Sequence, residues 1–306
     1  MFRITANRMR TKSRQSIFFI EKHYLLLLAP LLIFVAVIAL YPLLFSFYIS
    51  FFKYRLTDPD QTRTFLGLAN YVNAFHDKTV TTAIRNTLIF VAGTVSIELV
   101  LGLGLAVLFS GESRGMRLLR SWLVIPMALP SLVVGLVWKS LYNVDFGVLP
   151  YYLKQLGIDM GRGPLGEIKW AMPAVILIDI WQWTPLVMII FLAGLKSLPH
   201  DPYEAARVDG ASRWQSFWHI TLPLLKPTIL IVLLLRTMQG FKVFDIIYAT
   251  TGGGPGTATT VLNYHIYTVG MVFFKMGYAA ALANILLVIV AILAILYIIV
   301  LERQQL

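Results

Sequence analysis

The stretch DPYEAARVDGASRWQSFWHITLP, Asp201 to Pro223, is the polar interval on which the reading of the chain turns. Strongly apolar segments flank it on both sides, so it must lie outside the hydrocarbon of a membrane. Val208, Ala211, Trp214 or Gln215, and Trp218 recur at helical spacing, which predicts a helix with one apolar face. Glu204, Arg207, Asp209 and Arg213 supply charge, and Gly210 permits a break or a close backbone approach. Pro223 ends the element, and the next apolar segment starts there. A short amphipathic element held between two spans is a docking surface for a cytosolic partner. The plainer alternative is an interfacial helix with no partner.

Composition agrees with a membrane setting. Of 306 residues, 58% are hydrophobic and 13% charged, against about 25% charged in soluble domains. Several apolar runs exceed the roughly 18 residues that mark a membrane helix. The net charge of +11 does not indicate nucleic acid, because much of the excess sits in the N-terminal arm. There Arg3, Arg8, Arg10, Lys12, Arg14 and Lys22 face a single acid, Glu21. Such a cluster reads as cytoplasmic retention beside anionic lipid. The chain has no cysteine, so disulfides, thiolate metal sites and a cysteine nucleophile are excluded. The first apolar run is too long for a cleaved signal peptide and reads as a retained span.

The expected architecture is an all-α, polytopic bundle of six transmembrane helices. Residues 1–22 form the basic arm, and 23–306 form the transmembrane domain with the polar loop at 196–223. The spans are expected near Tyr24–Phe52, Ala83–Phe109, Ser121–Leu141, Trp170–Leu195, Leu224–Tyr248 and Gly277–Leu301. Pro126 and Pro130 interrupt the third, and a short interfacial helix is expected around Leu149–Leu156. With the N-terminus inside, the inner segments hold thirteen Lys and Arg against eight outside. The polar loop and both termini then face the cytosol.

Charged residues within spans mark candidate sites, since a charge at the bilayer centre costs about 2.5–3.5 kcal/mol on insertion scales. Asp179, Gln182 and Trp183 lie together in span four, a carboxylate and an amide beside an indole. That combination suits a sugar, whose hydroxyls need hydrogen bonds and whose C–H faces stack on rings. Asp179 has an alternative role, pairing with Arg236 or Lys242 as a structural bridge. In span five, Arg236, Gln239 or Gly240, and Val243 share a face, and Lys242 and Asp245 lie close to the outer end. Gly240 serves either a close substrate approach or tight helix packing. Gln182 and Trp183 are expected to face Gly240 across one cavity. Glu98 reads as a buried hydrogen-bonding residue of the bundle. The glycine-rich run Thr251 to Gly256 lacks the Lys-Ser/Thr ending of a phosphate loop and reads as an external turn. No metal-ligand or paired-carboxylate arrangement points to hydrolysis.

The polar loop also resembles the EAA loop of ABC importer permeases, with Glu204-Ala205-Ala206, Gly210, Ile220 and Leu222-Pro223 at the family's spacing. Further segments resemble the maltose-type, carbohydrate-uptake class: Gly67 to Tyr71, Ile125 to Ser131, Asp179 to Pro199 and Phe241 to Pro255. The resemblance implies a type I importer permease fold and a coupling helix docked on a separate ATPase through Glu204, Ala205, Ala206, Asp209, Gly210, Ile220, Leu222 and Pro223. It implies as partners a second homologous permease chain, a homodimeric ATP-binding subunit that holds ATP and Mg, and an extracytoplasmic solute-binding protein. This chain itself would need no cofactor or metal and would not be an enzyme. Positions matching the sugar contacts of the maltose permease fall on Asp179, Gln182, Trp183, Leu186, Arg236, Gly240 and Val243. Asp179 and Arg236 are charged where that permease is neutral, and Trp183 replaces a glycine. A smaller sugar or polyol is therefore as good a fit as maltose.

The implied function is an ATP-driven sugar importer subunit in the cytoplasmic membrane. The rival is an ion-coupled carrier acting alone, with Asp179 or Glu98 as the cation site. A docking loop argues against it, because such a carrier has no cytosolic ATPase to engage. A membrane scaffold would leave the intramembrane polar cluster without a role.

Overall fold

The computed structural model describes residues 27–58, 63–111, 113–158 and 161–303, with the side chains of 302 and 303 left aside. The basic arm expected at 1–22 lies outside the described residues. Among the described residues, four helices are each long and apolar enough to cross a membrane. They are α1 (Leu27–Ile49), α3 (Lys78–Leu108), α7 (Ile168–Lys196) and α13 (Met276–Arg303). Two bent pairs bring the number to six if each pair is one span. They are α4 (Arg114–Ala128) with α5 (Ser131–Leu141), and α9 (Arg213–Leu224) with α10 (Lys226–Phe241).

The bends have local causes. Leu129 and Pro130 separate α4 from α5, which cross at 96°. Pro130 has no N–H to continue α4, and it starts α5 as the residue before the first helical position. The interruption expected at Pro130 is present and splits the third span, Ser121–Leu141, into two helices, whereas Pro126 lies inside α4. The fifth span also differs from expectation. Its helix starts at Arg213, turns by 62° at Leu225 between Pro223 and Pro227, and ends at Phe241. Lys242 to Phe244 break it before the short α11 (Asp245–Thr250).

On the outer side, the short strands β1 (Phe52–Lys53) and β2 (Thr64–Phe65) pair antiparallel, and α2 (Ala69–His76) follows them. Asp77 caps α3 by accepting from the Thr79 N–H at 2.8 Å, which sets the helix start five residues before the expected one. Helix α6 (Val148–Gln155) forms where the interfacial helix is expected. The run Thr251–Gly256 is a turn, with positive φ at Gly252, Gly253 and Gly256. Asn86 of α3 donates to the carbonyls of Thr257 and Thr260 and ties this turn to the bundle. Helix α12 (Leu262–Tyr267) leads from it toward α13.

The central contact is α3 against α7. Gly93 and Gly102 make it close, because a Cβ at Gly93 would lie 2.9 Å from Ile176 and one at Gly102 would overlap Val187. Two apolar clusters result. One gathers Phe90, Val91, Val175, Ile178, Ile246 and Leu282, and the other gathers Ala106, Val187, Met188, Phe191 and Val232. Glu98, Asp179 and Arg236 fall between them along α3, α7 and α10.

Candidate functional site

The polar centre of the bundle is an ion cluster. Arg236 on α10 donates from Nε to Glu98 Oε2 at 2.5 Å and from Nη2 to Glu98 Oε1 at 2.7 Å. The same Nη2 donates to Asp179 Oδ2 on α7 at 2.6 Å, and Nη1 donates to Gln239 Oε1 at 2.6 Å. The guanidinium also lies 5.2 Å from the Trp183 ring centroid. Glu98 and Arg236 are 0% and 2% exposed, so the cluster is shielded from solvent. Desolvation is its main cost, and the fork geometry offsets it by satisfying both carboxylates at once. Glu98 lies ten residues before the end of α3, about 15 Å up the helix.

A cavity of about 240 Å³ opens beside this cluster. Asp179, Trp183, Arg236, Gln239, Lys242, Val243 and Asp245 line it together with Ser131, Phe244 and Ile246. It offers hydrogen-bond donors, acceptors, both signs of charge and an indole face, a set that suits a small polyhydroxylated molecule.

The sequence-derived residues do not all meet there. Trp183, Asp179, Arg236 and Val243 do. Gln182 is 0% exposed and does not itself line the cavity; it donates from Nε2 to the Leu129 carbonyl at 3.0 Å and, at 3.1 Å, to the hydroxyl of Ser131, which does line it. It pins the α4–α5 bend, and its Oε1 has no partner among the described residues. Gly240 faces α3, where a Cβ would sit 3.0 Å from Val91. Tight helix packing therefore accounts for Gly240, and it does not face Gln182 or Trp183 as expected. Leu186 is half-buried one turn below Trp183 and does not line the cavity. From the sequence Glu98 reads as a buried hydrogen-bonding residue of the bundle, or as the cation site of a carrier, with no partner named. A carboxylate mid-span opposite a mid-span arginine was the available signal.

The second site is the polar interval between α7 and α10. Helix α8 (Asp201–Val208) carries Glu204, Ala205 and Ala206, with Glu204 and Ala205 exposed. It ends in a Schellman motif: Ala211 N–H donates to the Ala206 carbonyl at 2.9 Å, and Gly210 N–H to the Arg207 carbonyl at 3.2 Å. Gly210 has φ +76°, which a side chain disfavours. The chain then reverses into α9 through a capping box between Ser212 and Gln215. The break that Gly210 permits is thus present, and it corrects the expectation that Val208, Ala211, Trp214 and Trp218 share one helix face. Val208, Trp214 and Trp218 sit on two helices and are 88%, 69% and 50% exposed. Asp209 is exposed at the end of α8, Ile220 and Leu222 are half-buried on α9, and Pro223 is exposed near its end. Tyr203 donates its hydroxyl to Thr221 at 3.0 Å and clasps the two helices together.

Residues 79–305 match the family model described as binding-protein-dependent transport system inner membrane component. The trehalose/maltose transport system permease protein MalF of Thermococcus litoralis is 36% identical over 86% of this chain and 89% of its own length. The sulfoquinovosyl glycerol transport system permease protein SmoG of Agrobacterium fabrum is 38% identical over 85% of this chain and 84% of its own. A crystal structure of a bacterial ABC transporter involved in import of the polysaccharide alginate has a chain that superposes with TM-score 0.80. That superposition is at 24% identity, over 94% of this chain and 99% of that one. The chain belongs to the binding-protein-dependent transport system inner membrane component family, as the membrane-embedded permease subunit of an ABC importer and not an enzyme.

Proposed function

We propose that this permease carries a sugar or related polyol across the cytoplasmic membrane. It acts with a second homologous permease, a homodimeric ATPase that binds ATP and Mg, and an extracytoplasmic solute-binding protein. The observation that carries the reading is the exposed two-helix element between α7 and α10. Its Gly210 turn and Tyr203 clasp make it a stiff unit, suited to transmitting a rigid-body motion to the spans. Glu204, Ala205, Ala206, Asp209, Gly210, Ile220, Leu222 and Pro223 form or position its docking face. The substrate class is supported by the relatives named for trehalose/maltose and for sulfoquinovosyl glycerol. The cavity lined by Asp179, Trp183, Arg236 and Val243 has matching chemistry. Gln182, Leu186 and Gly240 shape its surroundings from outside.

The test is reconstitution with the partner chains in proteoliposomes. Uptake of a labelled sugar that requires both ATP and the binding protein is the expected result. Uptake driven by an ion gradient without ATP would overturn the reading.

A further inference from the structure

A cleft of about 720 Å³ lies on the side of the α8–α9 element that faces the spans. Its lining is unusual in charge. Arg207, Arg213 and His200 line it, and so do the hydroxyls of Ser110, Tyr203, Ser216 and Thr221, which donate in turn to the Val107 carbonyl, Thr221, the Ser212 carbonyl and the Ser216 carbonyl. Among the described residues no Asp or Glu lines it. Neither arginine forms an ion pair among the described residues. The two arginines thus bring positive charge to one cleft without a carboxylate in its lining to pair it. Arginine forks and hydroxyls are the usual donors to a phosphate group.

We propose that this cleft binds a phosphate group, carried by a free phosphate ester or by an anionic lipid headgroup. Arg207 on α8 and Arg213 on α9 hold its oxygens, and the hydroxyl of Ser110, just past α3, turns from the Val107 carbonyl to close it from the bundle side. The occupant bridges the coupling element to the ends of α3 and α7, and so restrains the swing of that element against the spans. A phosphorylated product of the imported solute accumulating in the cytosol would thereby slow its own import. The regulatory part rests on the reading of α8–α9 as the coupling element; the binding part does not.

The test uses the assembled transporter, both permeases with the ATPase, in phosphatidylcholine nanodiscs. Labelled glycerol 3-phosphate is the free probe, and discs containing phosphatidylglycerol are the lipid arm. Saturable binding of glycerol 3-phosphate identifies a free ester, and phosphatidylglycerol retained through delipidation identifies a headgroup. Either is expected to weaken at least tenfold in the Arg207→Gln/Arg213→Gln variant. If that variant loses the ATPase on purification, Ser216→Asp replaces it, since a carboxylate in the cleft repels the same ligand. No saturable binding in either arm, or unchanged binding in the variants, overturns the site. Saturating glycerol 3-phosphate is further expected to lower the ATPase rate at least twofold in the unaltered transporter only. Binding with no such change overturns the regulatory role. ATPase co-purification, scored on the same samples, reports separately on the coupling reading.

Discussion

Arg236 and Glu98, 138 residues apart in sequence, meet through two hydrogen bonds of 2.5 and 2.7 Å in the centre of the bundle. Asp179 adds a third at 2.6 Å. The two carboxylates are not equivalent. Glu98 aligns both oxygens with the guanidinium edge, whereas Asp179 uses one, and Asp179 also borders the cavity. Glu98 thus anchors the arginine from within the bundle, and Asp179 is the carboxylate that also borders the cavity.

From this asymmetry Glu98→Ala is expected to be the more damaging change. It leaves a buried guanidinium with half its pairing, and breaking a buried pair costs about 3–5 kcal/mol in soluble proteins. Asp179→Asn keeps the Glu98 fork and is expected to accumulate in the membrane near normal levels. Membrane-fraction quantities and melting temperatures of the purified complexes measure both. Equal losses in the two variants would contradict the ranking.

The fold was legible where apolar runs are unbroken and obscure where they bend. The runs that became α3, α7 and α13 show as long hydrophobic stretches, and each lies within a few residues of its expected span. Pro130 marked an interruption, but hydropathy averages over a window, so neither the 96° of that bend nor the turn at Leu225 was visible in it. The coupling element shows the same limit. Val208 and Trp214 fit one helical period, but the φ of +76° at Gly210 puts them on separate helices. Within the site, residue type revealed Asp179 and Arg236 as costly intramembrane charges. A mid-span carboxylate and a mid-span arginine were both visible, but pairing between α3 and α10 is set by tertiary packing, so the sequence did not join Glu98 to Arg236. The direction of Gln182 depends on the α4–α5 bend and was hidden for the same reason.

The coupling element gives a second expectation. Gly210→Pro imposes φ near −65° where the turn holds +76°, and Glu204→Lys reverses an exposed charge on α8. Both variants are expected to remain in the membrane, lose ATPase on purification and lose uptake by at least tenfold. Survival of ATPase binding and uptake in either would remove the coupling role.

Topology is checked by reporter fusions. A fusion after Lys154, in α6, is expected to read as external, and one after Ser212, between α8 and α9, as cytosolic. A bent α4–α5 pair that re-enters the membrane without crossing would place Lys154 on the cytosolic side instead.

Trp183 and Gln182, adjacent on α7, are expected to separate ligand contact from scaffolding. Trp183 lines the cavity and lies against the Arg236 guanidinium, a contact worth about 0.5–2 kcal/mol. Trp183→Ala removes a stacking surface for a sugar ring, so uptake is expected to fall several-fold through a higher KM, with assembly preserved. Trp183→Phe keeps a ring and is expected to recover much of that loss. Gln182 does not line the cavity; it bonds to the Leu129 carbonyl and sits behind Ser131, which does. Gln182→Ala frees the α4–α5 bend and leaves the Leu129 carbonyl without that donor. It is expected to lower thermal stability by a cost of about 1–3 kcal/mol, with KM for the solute little changed. Transport kinetics and melting curves on the same purified complexes distinguish the two roles. Unchanged uptake in Trp183→Ala would remove the cavity beside Asp179 and Arg236 from the solute path.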